Sequence, residues 1–198
     1  MFHNSARADI MLTQITPGAG AASLADALAA GDRSDALTLL LGCHQRIRHF
    51  TSVAVRLSAA EAPPAQLAAA ATAVHRYYTV ALPLHEADEN ESVYPRLRAA
   101  ALPQELAEAN QAMVDQHAGI NAMVAQLVPQ WTAITAGGGE APALARATAA
   151  ATRQLQAEWA QHLELEESVI FPALRRHLSL AALAAIRQEM SARRPAAA

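Results

Sequence analysis

Apolar positions recur every three or four residues along most of the chain, the signature of helices that bury one face. A first helix is predicted from about 35 to 60, with Leu37, Leu40, Leu41, His44 and Ile47 on one stripe, stopped by Glu61-Ala62-Pro63-Pro64. A second begins near Ala65, turns Leu67, Val74, Tyr78, Leu82 and His85 inward, and ends around Pro95. Pro83 lies inside it and predicts a kink two residues before His85, because proline removes one hydrogen bond and crowds the preceding turn. The third runs from about Pro103 to Thr135 with Leu106, Met113, Val114, His117, Ile120, Val124 and Leu127 inward. Gly137-Gly138-Gly139 makes a flexible turn into a fourth helix over 141–171, with Leu144, Leu155, Trp159, His162, Leu165 and Val169 on one side. Pro172 interrupts it, and Leu174 to Arg193 predicts a shorter last helix with Leu180, Leu183 and Ile186 inward.

Four long helices joined by short turns predict an all-α, up-down-up-down four-helix bundle with a short additional C-terminal helix. The chain then divides into a lead-in over 1–34, which includes a short helix over 23–30, the bundle over 35–175, and a C-terminal helix and tail over 176–198. Composition supports helices, since the apolar fraction of 53% rests on alanine while aromatics are only 4%. A net charge of −3 with arginines scattered along the chain excludes a basic nucleic-acid footprint. No apolar run is long enough to span a bilayer. Cys43 is the one cysteine, so no intramolecular disulfide forms, and a cytoplasmic location is expected.

Two stretches of the chain are near copies. One reads His85-Glu-Ala-Asp-Glu89-Asn-Glu-Ser-Val-Tyr-Pro95, the other His162-Leu-Glu-Leu-Glu166-Glu-Ser-Val-Ile-Phe-Pro172. His85 and His162 lie 77 residues apart, and the lone histidines of the preceding helices, His44 and His117, lie 73 apart. A helical hairpin is written twice. Residues at i and i+4 project from one helix face, so each His-x-x-x-Glu pair offers an imidazole and a carboxylate to a shared centre. With His44 and His117 the set is four nitrogens and two carboxylates, and such a buried set is costly without a compensating partner. One metal would be saturated by six ligands. Two metals, each with two histidines and bridged by both glutamates, would keep a position each for a small ligand once a solvent oxygen also bridges them. Imidazole with carboxylate suits iron or manganese, and iron is the expected choice.

This pattern resembles the hemerythrin-like HHE cation-binding domains over roughly residues 35–175. The resemblance implies a di-iron centre, oxo- or hydroxo-bridged, held by His44, His85, Glu89, His117, His162 and Glu166, with the glutamates as bridges. The oxygen carriers of that family have a further histidine where Asn121 stands and an aspartate where Glu167 stands. The chain looks more like bacterial relatives linked to iron–sulfur cluster repair and nitric oxide stress. Those relatives often carry a cysteine in an N-terminal segment, and residues 1–34 contain none, which weighs against repair.

Glu158, one turn before His162, is a candidate to bond a ligand histidine or carry protons; Asn121 and Tyr78 are candidates to line the site. Glu86, Asp88, Glu91, Glu164 and Glu167 are expected to be mostly solvated, and Cys43 to pack as a small hydrophobe. His3, His49, His75 and His177 read as ordinary surface histidines. The expected function is binding of, or reaction with, a small diatomic ligand or peroxide, or handling of iron. A sensor acting through a partner protein and a metal-free structural bundle are the alternatives. Oligomeric state is not legible.

Overall fold

The computed structural model describes residues 35–194, so the expected helix over 23–30 lies outside the described residues. Among those residues the chain is helical, without a strand. Four rods are arranged so that each packs on two neighbours. The first is α1 (Ala36–Ala59), started by Asp35, whose carboxylate accepts from the Thr38 N–H at 2.8 Å. The second is α2 (Pro64–Arg76), α3 (Leu82–Ala87) and α4 (Tyr94–Ala99) in one line. The third is α5 (Gln104–Ala136). The fourth is α6 (Ala141–Ala147), α7 (Ala149–Leu165) and α8 (Phe171–His177), and α9 (Leu180–Ala192) closes the chain. Gly138 takes a left-handed φ of 49° in the turn between the third and fourth rods, a conformation glycine adopts without strain.

The second and fourth rods continue through Pro83, which was expected to kink its helix, and through Pro95 and Pro172, which were expected to end theirs. Each proline is preceded by a π-helical segment: Tyr77–Ala81, Asp88–Val93 and Glu166–Ile170. In each, the last N–H before the proline reaches back five residues, from Leu82 to the Tyr77 carbonyl, Tyr94 to Glu89, and Phe171 to Glu166. The wider turn moves aside the carbonyl that the proline ring would strike and absorbs the missing donor. Pro83 therefore breaks the α-helical ladder, as its position predicts, by a local widening.

These turns rephase the buried stripe. Ile170 is buried where Val169 was expected, and Val169 is half-buried. Leu41 is 38% exposed instead of inward. The last helix starts at Leu180 rather than Leu174, because Ser179 caps it by accepting from the Ala182 N–H; Leu180 in that first turn is 86% exposed, and Ile186 with Met190 makes the buried face.

The interior is two apolar clusters. One gathers around Trp131, Trp159, Tyr78 and Leu57, the other around Leu40, Val93, Met113, Phe171 and Ile186. On every rod, a short polar stretch separates the residues of one cluster from those of the other. That layer holds the candidate site.

Candidate metal centre

His44 sits mid-way along α1, His85 on α3, His117 on α5 and His162 on α7, while Glu89 and Glu166 lie in the π-helical segments. All six are at most 2% exposed. They form two sets, His44, His85, Glu89 and Glu166, and then Glu89, His117, His162 and Glu166. In each set one donor atom per residue lies within 4.8 Å of the others. The two glutamates belong to both.

The motif explains how they come to do so. The aromatic residue before each proline sends its N–H to the backbone carbonyl of the motif glutamate, Tyr94 to Glu89 and Phe171 to Glu166. So the aromatic-Pro ending pins a widened turn onto the residue that carries the carboxylate. Each carboxylate then points one oxygen at each histidine pair. Glu89 Oε1 is 3.4 Å from His85 Nε2 and its Oε2 is 3.2 Å from His117 Nε2. Glu166 Oε2 is 3.0 Å from His44 Nε2 and its Oε1 is 3.2 Å from His162 Nε2.

Hydrogen bonding on the far side of the rings decides what the inner atoms are. His44 Nδ1 donates to Glu167 Oε1 at 2.7 Å, His117 Nδ1 to Asn90 Oδ1 at 3.1 Å, and His162 Nδ1 to Gln116 Oε1 at 3.0 Å. With the proton on Nδ1, a neutral ring turns a bare lone pair inward at Nε2. His117 Nε2 and His162 Nε2 lie 3.1 Å apart, and His44 Nε2 is 3.0 Å from a carboxylate oxygen of Glu166. Both oxygens of Glu89 and of Glu166, His44 Nε2 and both nitrogens of His85 have no hydrogen-bond partner. Carboxylate oxygens and ring nitrogens gathered in a buried layer favour positive charge between them, as protons or as metal ions. The donor set fits metal ions.

Electrostatics say the same in terms of protons. Burial works against a charged ring at His44, but the carboxylates of Glu166 and Glu89 outweigh it and push the ring up to about 10. Burial is likewise overcome at His117, raised by Glu89, whereas at His85 burial dominates and lowers it. Glu89, despite its burial, is held well below the usual carboxylate range by His85 and His117.

Phe171 stacks on His44 with centroids 4.9 Å apart, and the Trp159 ring meets His162 edge-on at 5.3 Å, so aromatic walls hold the two rings. An open cleft of about 530 Å³ lies on the outside of α1 and α8, with Glu167 and Phe171 in its wall.

The other candidates go elsewhere. Glu158 is half-buried, and the Nδ1 atoms of His44, His117 and His162 bond Glu167, Asn90 and Gln116 rather than Glu158. Asn121 donates to Glu86 Oε2 at 2.9 Å and reaches no histidine. Tyr78 stacks on Trp131 at 5.1 Å and bonds Thr51 Oγ1 at 2.7 Å, within the apolar cluster. The acidic residues divide: Glu91 and Glu164 are exposed, Glu86 and Asp88 are buried, and Glu167 is half-buried against His44. Cys43 is buried as expected, but Arg46 donates to its sulfur at 2.9 Å; burial still pushes the thiol up. His49 is exposed, His75 and His177 are half-buried, and His3 lies outside the described residues.

Sequence reasoning missed Asn90, Gln116 and the role of Glu167. A signal was present for two of them, since Asn90 and Glu167 each follow the motif glutamate by one residue. The model of the hemerythrin HHE cation binding domain matches residues 35–174, and matches again over 108–193. The chain belongs to the hemerythrin HHE family. The two matches begin 73 residues apart, the spacing of His44 and His117, in keeping with a hemerythrin domain built from a repeated hairpin. No curated protein matches the chain. As a hemerythrin-family domain it carries clustered histidines and glutamates capable of forming a di-metal site. No helix among the described residues is long and apolar enough to cross a membrane.

Proposed function

We propose that this chain is a non-haem di-iron protein that reacts with a small oxidant such as O₂, nitric oxide or peroxide. His44 and His85 would hold one iron, His117 and His162 the other, and Glu89 with Glu166 would bridge them. The observation that carries this reading is the sharing of each carboxylate between the two histidine pairs, one oxygen to each. Four histidines and two carboxylates favour iron or manganese over zinc, which usually settles at four ligands.

When bound, the iron pair supplies the electrons for reduction of such an oxidant. The protein does the rest. Nδ1 bonds to Glu167, Asn90 and Gln116 fix three ring orientations and leave Nε2 free as a donor. The apolar clusters above and below exclude bulk water. The cleft beside Glu167 and Phe171 brings solvent to within one side chain of His44, a route for a small molecule. A reducing, cytoplasmic setting fits the lone buried thiol of Cys43.

The test is anaerobic loading with ferrous iron, followed by exposure to O₂, nitric oxide and peroxide in turn under absorption spectroscopy. The expected result is two irons per chain and rapid, stoichiometric oxidation or adduct formation with one reagent. Uptake of fewer than two metal ions per chain, or a loaded centre inert to all three reagents, would overturn the reading.

A further inference from the structure

The four imidazoles are not backed alike. Behind His117 and His162 stand the neutral amide oxygens of Asn90 and Gln116, at 3.1 and 3.0 Å. Behind His85 there is no hydrogen-bond partner at all. Behind His44 stands a full carboxylate, Glu167, at 2.7 Å. Arg48 clasps that carboxylate from outside with bonds of 2.8 and 3.0 Å, one to each oxygen, which keeps it ionised and aimed.

The two backing residues occupy matching places. Asn90 follows Glu89 and reaches across to the lone histidine of the third rod; Glu167 follows Glu166 and reaches across to the lone histidine of the first. The widened π turns let consecutive residues both face inward, one toward the shared centre and the next toward a ring on another rod. The repeat is therefore symmetric in its inner donors and asymmetric in charge one bond further out. A carboxylate on Nδ1 draws the ring proton, raises electron density at Nε2 and strengthens its donation to a cation, more than a neutral amide does.

We propose that Glu167 is a positioning residue that makes the two metal positions unequal, strengthening the His44–His85 position through His44. This rests on the di-metal reading above. Glu167 does not itself belong to either set of donors. Its position in the cleft wall puts this support within reach of solvent.

The test is titration of the metal-free protein with Co(II) under anaerobic conditions, following the ligand-field bands of each bound ion. Wild type should take up two ions with separable affinities and spectra. Glu167→Gln keeps the shape and a hydrogen bond but removes the charge, so one of the two steps should weaken by about ten- to hundredfold. Only the bands of that ion should shift. Asn90→Asp, which supplies a carboxylate to His117, should strengthen the opposite step. Arg48→Met, which leaves Glu167 in place but unclasped, should weaken the same step as Glu167→Gln and by less. Should wild type and Glu167→Gln give superimposable isotherms, or should both steps weaken together, the proposal is overturned while the di-metal reading stands. Uptake of fewer than two ions by wild type overturns both. Should Glu167→Gln fail to fold, Asn90→Asp and Arg48→Met acting on different steps would support the proposal, and their acting on the same step would overturn it.

Discussion

Six side chains meet at the candidate centre, but the residues beside them decide how those six are held. Asp88, next to Glu89, is fully buried and is gripped by Arg194 at 2.6 Å and Arg193 at 3.1 Å from the far end of the chain. Neighbouring acids therefore have opposite tasks: Asp88 faces the last helix, and Glu89 faces the histidines. Breaking a buried ion pair by removing one partner strands the other in low dielectric. Asp88→Ala is accordingly expected to cost about 3 kcal/mol, seen as a lower denaturant midpoint. Glu91→Ala, at an exposed position on the same helix, should change stability by less than about 0.5 kcal/mol. The inner donors were legible because repetition marks them. Asp88 and Glu167 differ from the solvated acids that the sequence predicts, because nothing in an acidic run says which member has an arginine waiting on another helix.

At the scale of elements, three prolines shape two rods. An interior proline was read as a kink or a stop, and the kink before His85 has its counterpart in the π turn Tyr77–Ala81. The expected stops at Pro95 and Pro172 are overridden, since both rods continue, to Ala99 and His177. Packing on neighbouring rods outweighs the local preference, and the backbone accommodates by changing its hydrogen-bond step. The last helix is tied down at its other turns by ion pairs: Arg96 meets Glu189 at 2.7 Å. Arg96 holds the Glu189 carboxyl below its usual value of about 4.5. A depressed native value means that this stabilisation is complete above the unfolded value and is lost as pH falls through the lowered one. Because the Glu189 side chain is 40% exposed, solvent screens the pair and the effect is small and local. Acidification below pH of about 4.5 should lower the amide protection factors of 186–192, taken relative to intrinsic exchange at each pH, ahead of the bundle, and Arg96→Ala should abolish that pH step.

At the scale of the whole molecule, a buried polar layer lies between two apolar clusters. Without metal that layer is costly, because two carboxylates and four imidazoles are gathered away from water with only ring protons to neutralise them. Anything that binds the folded layer alone stabilises the fold. Each ion bound at a free concentration of a hundred times its Kd should add about 2.7 kcal/mol, roughly 5–10 °C in Tm at 2–4 °C per kcal/mol. Calorimetry of metal-free and Co(II)-loaded protein checks this. A Tm indifferent to metal would mean that the layer is satisfied without it.

Taken alone, the order of residues determined an all-helical fold and marked the six candidate donors that the structure gathers. Periodicity of 3.6 is a local property, and a spacing of four puts histidine and glutamate on one face wherever the helix lies. Duplication then made a costly pattern stand out from ordinary core histidines. Only the tertiary structure decided which histidines pair, how each carboxylate is shared, and that Glu167 rather than Glu158 stands behind a ring. Those outcomes depend on the rotation of one rod against the next and on turns widened by proline. Such distances join residues more than a hundred positions apart, as with His44 and Glu167, and no local spacing contains them.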